Sequence, residues 1–201
     1  QLTGSTVAVR EIWDALRTEL NMGQYLDVIG TATGKITAEG ARLIMKHKTA
    51  GYTIVRPLQI GAALAGRPEL ADALAAHGMP LGIAFQLRDD MLGAFGDAEK
   101  TGKPVGDDLR EGKPTVLLAS ARDAASAAQL EVLNRVGQPE LTDHDVNAIQ
   151  QVLIDTGSVA ASERETNQLL GDSIGAIESL PDHNGSQAAL RALADFVVER
   201  D

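Results

Sequence analysis

The stretch FQLRDDMLGAFGDAEKTGKPVGDDLREGKPT, residues 85–115, opens as the apolar end of a helix and closes as a polar, glycine-rich segment. The helix it ends starts at Arg67-Pro68, where proline occupies a tolerated first-turn position, and runs to Phe95 with an interruption near Gly78 and Pro80. Gly96 to Lys113 reads as a long loop, and Pro114 opens a further helix to about Ala125. The same pattern extends outward in both directions. Val9, Ile12, Trp13, Leu16 and Leu20 recur at three- and four-residue steps, which predicts a helix over about Thr6–Ile29. Thr37 is placed to cap a helix to about Lys48, and Tyr52–Leu64 continues apolar with Pro57 bending or splitting it. Downstream, Ser126, Thr142 or Asp143, Ser158 and Ser186 are placed as N-caps; Gly157 and Pro181 are placed as stops.

Composition agrees. Aromatic residues make up 3% of the 201 residues, and alanine is abundant. Strands favour aromatic and β-branched residues, whereas alanine is the best helix former. The expectation is a single all-α domain over residues 1–201, a bundle of helices with one long functional loop. There are no cysteines, which excludes a disulfide scaffold, a zinc-thiolate site and a cysteine nucleophile. The net charge of −10 argues against a nucleic-acid surface. No apolar run approaches the roughly 20 residues of a membrane span, and no signal peptide opens the chain, so a cytoplasmic location is expected. The first residue is Gln1 rather than Met, which suggests that something upstream was removed or left out.

The chemistry is concentrated in the same stretch. Asp89 and Asp90 are adjacent carboxylates late in an apolar helix, costly there unless solvated, paired or metal-bound. Gln86, Asp90, Gly93 and Asp97 project in nearly one direction, with Asp89 beside them. Such an oxygen-rich edge suits Mg²⁺, which takes few carboxylates together with waters and phosphates. The loop then offers Lys103, Arg110 and Lys113 among glycines and with Asp107 and Asp108. Glycines let backbone approach a ligand closely, and lysines are point-charge partners for phosphate. Upstream, Lys48-Thr49 is placed near a helix end with Tyr52 one turn on. Each feature has an ordinary structural reading: a solvated acidic face, a mixed-charge connector, a lysine complementing a helix dipole.

Taken together, these residues resemble the trans-isoprenyl diphosphate synthases, the polyprenyl synthetase family. FQLRDDMLGAFGD resembles the family's second aspartate-rich motif, and TGKPVGDDLREGKPT the segment after it. KTAGY at Lys48–Tyr52 resembles its KTA motif, GQYLD at Gly23–Asp27 its GQ-containing helix, and ALRALADFVVER its last helix. The resemblance runs from the GQ-containing helix to the C-terminus, essentially the whole chain.

The resemblance implies a helical bundle around a central cavity, usually homodimeric, with the family's N-terminal helices outside this chain. It implies condensation of an allylic diphosphate with isopentenyl diphosphate by Mg²⁺-assisted ionisation. Asp89 then matches the principal metal-binding aspartate and Asp90 its neighbour. Gln86 matches a glutamine facing the allylic substrate. Lys48, Lys103 and Lys113 match lysines around the allylic diphosphate, and Thr49 and Tyr52 supporting polar groups. Gln24 and Asp27 match a helix lining the cavity; a buried hydrogen-bonded pair is the alternative.

Two departures stand out. The family pattern is DDxxD, and its last position here is Gly93, with Asp97 one turn later. The family's first aspartate-rich motif, upstream of everything quoted, has no counterpart in these residues. One half of a metal clamp is present, so this chain alone is expected to be incomplete and inactive. The competing reading is a non-catalytic diphosphate-binding or regulatory partner of a full-length synthase. Away from the motifs, Trp13 and Phe196 read as core, Glu163 and Glu165 as a solvated face, Met91 as packing, and His47, His77, His144 and His183 as surface or boundary residues.

Overall fold

The computed structural model describes residues 2–34, 37–96, 104–182 and 184–198. Among them there is helix, turn and loop, and no strand, so the all-α expectation holds. The chain divides into two compact units, one of residues 1–24, 44–86 and 166–200, the other of residues 25–43 and 87–165.

Helix α1 spans Leu2–Thr33, several residues longer at each end than the apolar spacing predicts. Leu16 is buried with Val9, Ile12 and Leu20 partly so, but Trp13 is half-exposed, a correction to its reading as core. Thr37 caps α2, Ala38–Ile44, its hydroxyl accepting the Gly40 N–H at 3.1 Å. The chain does not break after Lys48. A π-helix, Met45–Val55, runs directly into α3, Arg56–Leu64. The Arg56 N–H reaches back to the Gly51 carbonyl, an i→i−5 bond, and Pro57 sits in the first turn of α3. A proline there removes no bond that an α-turn needs, so the helical run continues through it.

Within the first unit, Ala62, Leu74 and Leu180 form a small core with Leu58, Leu70 and Leu190 packed against it. A 3₁₀ turn, Pro68–Leu70, leads into α4, Ala71–Phe95. This helix ends at Phe95 as expected but passes through Gly78 and Pro80 without the expected interruption. Leu74, Leu81 and Ala84 are buried along its length, and His77 lies fully buried among them. His77 is therefore a core residue, not a surface one. Its Nδ1 lies 2.8 Å from the Ser173 hydroxyl and 3.2 Å from the Ser173 carbonyl. Burial pushes its pKa down, against a smaller upward pull from that carbonyl. His47 is half-buried, His144 is exposed and His183 lies outside the described residues.

The second unit holds the larger core. Ala94, Leu109, Leu117, Leu118, Leu133, Ile149 and Leu153 are packed together, with Met91 and Phe95 against them. Each fully buried leucine of this kind contributes on the order of 2 kcal/mol. The expected loop after Phe95 contains a short helix, α5, Asp107–Glu111, bounded by Gly106 and Gly112 with φ near +71°. Glycine reaches that left-handed region without steric cost, so the two fix where the turn starts and stops. Thr115, rather than Pro114, caps α6, Val116–Ala124, accepting the Leu118 N–H.

Ser126 caps α7, Ala127–Leu133, in a reciprocal box with Gln129; Thr142 caps α8, Asp143–Asp155, in another with Asp145. Boxes of this kind contribute about 1 kcal/mol each. The Thr142 hydroxyl and amide, then the Arg135 charge, hold the Asp145 carboxyl below its usual value. Helices α6, α7 and α8 pack on one another. Glu165 is ion-paired with Arg42 rather than simply solvated, whereas Glu163 is exposed. Helix α9 spans Ser158–Ile177 and α10 Ser186–Val198. In α10, Ala194 is fully buried and Phe196, two positions on and so on the opposite face, is 68% exposed, which corrects its reading as core. No described helix is long and apolar enough to cross a membrane.

Candidate active site

In the first unit the π-helix carries Lys48, Thr49 and Tyr52. Thr49 is buried, Lys48 half-buried and Tyr52 nearly half exposed. The Thr49 hydroxyl donates to Gln86 Oε1 on α4 at 2.5 Å, joining two of the motifs. Gly23 on α1 makes that position possible. A Cβ there would lie 2.7 Å from the Lys48 backbone N and 3.0 Å from Lys48 Cβ. Gly23, not flagged from sequence, is thus the inward residue of GQYLD; Gln24 beside it is exposed, which rules out a buried Gln24–Asp27 pair. A hundred-degree step per residue separates the two directions. π-helical turns are uncommon and cluster at functional sites, because the extra residue re-aims side chains.

In the second unit Asp89 is exposed and Asp90 buried, late on α4. Helix α5 stands beside that end of α4. Its place is fixed from two sides: Arg110 bonds the Leu141 carbonyl and, at 2.6 Å, Asp143; and the Gly137 N–H donates to the Leu109 carbonyl at 3.0 Å. Asp108 is buried and ion-paired with Lys113, whose Nζ also lies 3.4 Å from Glu111. Burial alone would lower the Lys113 pKa, but Asp108 and then Glu111 outweigh it and raise it, so the amine stays charged. Asp107, Asp108 and Glu111 bring carboxylate oxygens within 4.8 Å of one another. Asp89 and Asp90 are not part of that cluster. Glu111 was not singled out from sequence; its signal was the Gly-Asp-Asp run closed by Glu-Gly-Lys. Lys103 and Asp97 lie outside the described residues.

Three carboxylates of α5, with the Lys113 amine beside them, are oxygen donors of the kind a hard divalent cation takes. In the first unit, Lys48, Thr49 and Gln86 are groups of the kind that bind an anion.

Comparison with known proteins agrees with this chemistry. The family model described as polyprenyl synthetase matches residues 2–153. The chain is 31% identical over 184 residues to the geranylfarnesyl diphosphate synthase of Aeropyrum pernix, covering 90% of itself and 57% of that protein. It is 31% identical over 180 residues to the octaprenyl diphosphate synthase of Escherichia coli, covering 89% of itself and 55% of that protein. Among solved structures, a geranylgeranyl pyrophosphate synthase from Corynebacterium glutamicum, complexed with isoprenyl diphosphate and magnesium, superposes with a TM-score of 0.92. Identity there is 39%, over 98% of this chain and 57% of that one. Helical content, motif order and these matches converge on one class, and the chain belongs to the polyprenyl synthetase family. It spans a little over half the length of the relatives it matches.

Proposed function

We propose that this chain is the later part of a single all-α prenyl diphosphate synthase domain, one that lengthens an allylic diphosphate with isopentenyl diphosphate. The observation that carries the reading is the Thr49–Gln86 hydrogen bond, which fixes the KTA segment against the helix of the second aspartate-rich motif. Lys48 is half-buried in that segment, and Asp89 and Asp90 follow Gln86 on the same helix.

Asp89, with Asp90 beside it, would hold Mg²⁺, which when bound neutralises charge on the diphosphate leaving group. By the family resemblance, Lys48, Lys103 and Lys113 would offer positive charge to that group. As the allylic carbon–oxygen bond breaks, charge grows on the diphosphate oxygens, and ammonium groups beside them stabilise it. Thr49 and Gln86 hold one another and keep the Lys48 backbone in register. Tyr52 supports the same edge. The carbon–carbon bond forms when the isopentenyl alkene attacks the allylic cation; a proton is then lost to the departed diphosphate. No side-chain nucleophile is required.

A homodimer is part of the same reading, supported by Trp13 and Tyr25, large side chains exposed on α1. So is a cytoplasmic location, supported by water-soluble diphosphate substrates.

The test is calorimetric titration of the purified chain with an allylic prenyl diphosphate, with and without Mg²⁺. Binding that needs Mg²⁺ and is lost in Asp89→Ala is expected. Binding of equal strength in EDTA would overturn the reading.

A further inference from the structure

The π-helix Met45–Val55 runs to 11 residues, whereas such turns usually occur singly. Its middle is clamped by two close backbone contacts. A Cβ on Gly23 of α1 would lie 2.7 Å from the Lys48 backbone N, and one on Gly82 of α4 would lie 2.3 Å from Ala50 Cα. Its later turns border a cavity of about 280 Å³, far more than one water needs. Glu19, His47, Gly51, Val55, Gln59 and Met79 are among the cavity walls, whereas Lys48, Thr49 and Tyr52 are not. The cavity therefore lies on a different face of the π-helix from the three motif side chains.

Glu19 and Arg56 meet on that face. Arg56 Nε donates to Glu19 Oε2 at 3.0 Å and Nη2 donates to Oε1, the two-pronged geometry in which an ion pair is strong. The Arg56 and Glu19 side chains are 24% and 27% exposed. The hydrogen bond from Arg56 pulls the Glu19 carboxyl below its ordinary value, so the pair stays charged. The carboxylate lies over Gly51, 3.5 Å from where a Cβ would stand. Arg56 Nη1 also donates to Gln59 Oε1 at 2.9 Å, and Gln59 Nε2 donates to the Ala71 carbonyl, at the start of α4, at 3.2 Å. One guanidinium thus ties α3 to α1 and, through Gln59, to α4. The Arg56 backbone closes the last π turn, its N–H bonded to the Gly51 carbonyl. A turn that gave up its extra residue would rotate the residues before it by one helical step, roughly 100°. Lys48 and Thr49 lie among those residues.

We propose that Glu19 and Arg56 are positioning residues for Lys48. Packing holds the middle of the π-helix; where the cavity interrupts packing, the ion pair holds the turn. It keeps the register in which Thr49 meets Gln86 and Lys48 stands beside it. The proposal rests on the reading of Lys48 as a diphosphate ligand. Arg56 is suited to the task because its planar fork fixes an angle as well as a distance, which a lysine would not.

The test is calorimetric titration of the full 201-residue chain with geranyl diphosphate and Mg²⁺, circular dichroism confirming that each variant is folded. Arg56→Gln should weaken binding at least fivefold. In a Lys48→Ala background the same substitution should weaken it less than twofold further, because the pair acts through Lys48. Glu19→Gln keeps the side-chain size and should match Arg56→Gln, and the two together should be no weaker than either within about twofold. If Arg56→Gln does not fold, Glu19→Gln in the two backgrounds carries the same test. Equal weakening with and without Lys48 would mean that the pair supports the fold alone, and the proposal falls. If Lys48→Ala weakens binding while Arg56→Gln and Glu19→Gln do not, the proposal falls and the wider reading stands. If Lys48→Ala binds as the original does, the role of Lys48 falls and the proposal with it.

Discussion

Thr49 on the π-helix donates a hydrogen bond to Gln86 on α4, at 2.5 Å, and the hydroxyl that does so is buried. Two segments 37 residues apart in sequence are held in register by this contact. Thr49→Val keeps the shape and deletes the donor. A hydrogen bond of this kind contributes about 1 kcal/mol net, so urea denaturation should show a loss of that size. Affinity for the allylic diphosphate should fall with it. A variant as stable as the original would show that Gln86 needs no partner at this position.

Gly23→Ala tests the close approach of α1 to Lys48. The new methyl would sit 2.7 Å from a backbone nitrogen, which cannot rotate out of the way. Overpacking of this kind costs about 1–3 kcal/mol. Chemical denaturation should show that loss, and Mg²⁺-dependent diphosphate binding should weaken because Lys48 moves. Unchanged stability would mean that α1 yields freely.

Asp89 is exposed, so its removal leaves little unpaired. Asp89→Ala should change unfolding free energy by no more than about 0.5 kcal/mol. Helicity by circular dichroism should be unchanged. Mg²⁺-dependent diphosphate affinity should nevertheless drop at least tenfold. Retained affinity would remove Asp89 from the metal site.

His77 gives a pH dependence. Its folded pKa lies below the ordinary value of 6.5 because burial disfavours the cation. Between the folded and unfolded values the unfolded chain binds more protons, so stability rises with pH there. Thermal stability should therefore fall as pH is lowered from 7 through 6.5 toward 5. In His77→Gln the slope over that window should flatten, even if the variant is less stable throughout. An unchanged slope would assign it to other groups.

The all-α class was legible from alanine content and apolar spacing, since both act locally along a helix. The caps at Thr37, Ser126 and Thr142 were legible for the same reason: a hydroxyl and an amide three residues away are neighbours in any helix start. The motif residues Lys48, Thr49, Gln86, Asp89, Asp90 and Lys113 could be named because their types and order carry the family pattern. What spacing could not show was continuity. Local signals at Lys48, Pro57 and Pro80 read as breaks, but helix runs through all three positions because packing outweighs a single unfavourable residue.

Residue order alone thus determined the helical class, the family and the donor types of the site. Which donors face one another was decided only by the tertiary structure. His77 is buried where Trp13 and Phe196 are not, because the turn of each helix against its neighbours sets which apolar-spaced residue points inward. Gly93 reads in sequence as a lost carboxylate; in space it is the surface against which Asp108 rests, 15 residues away along the chain and in contact across the fold. Periodicity reports only on neighbours within an element, and a carboxylate brought by a second helix leaves no mark on the spacing of the first.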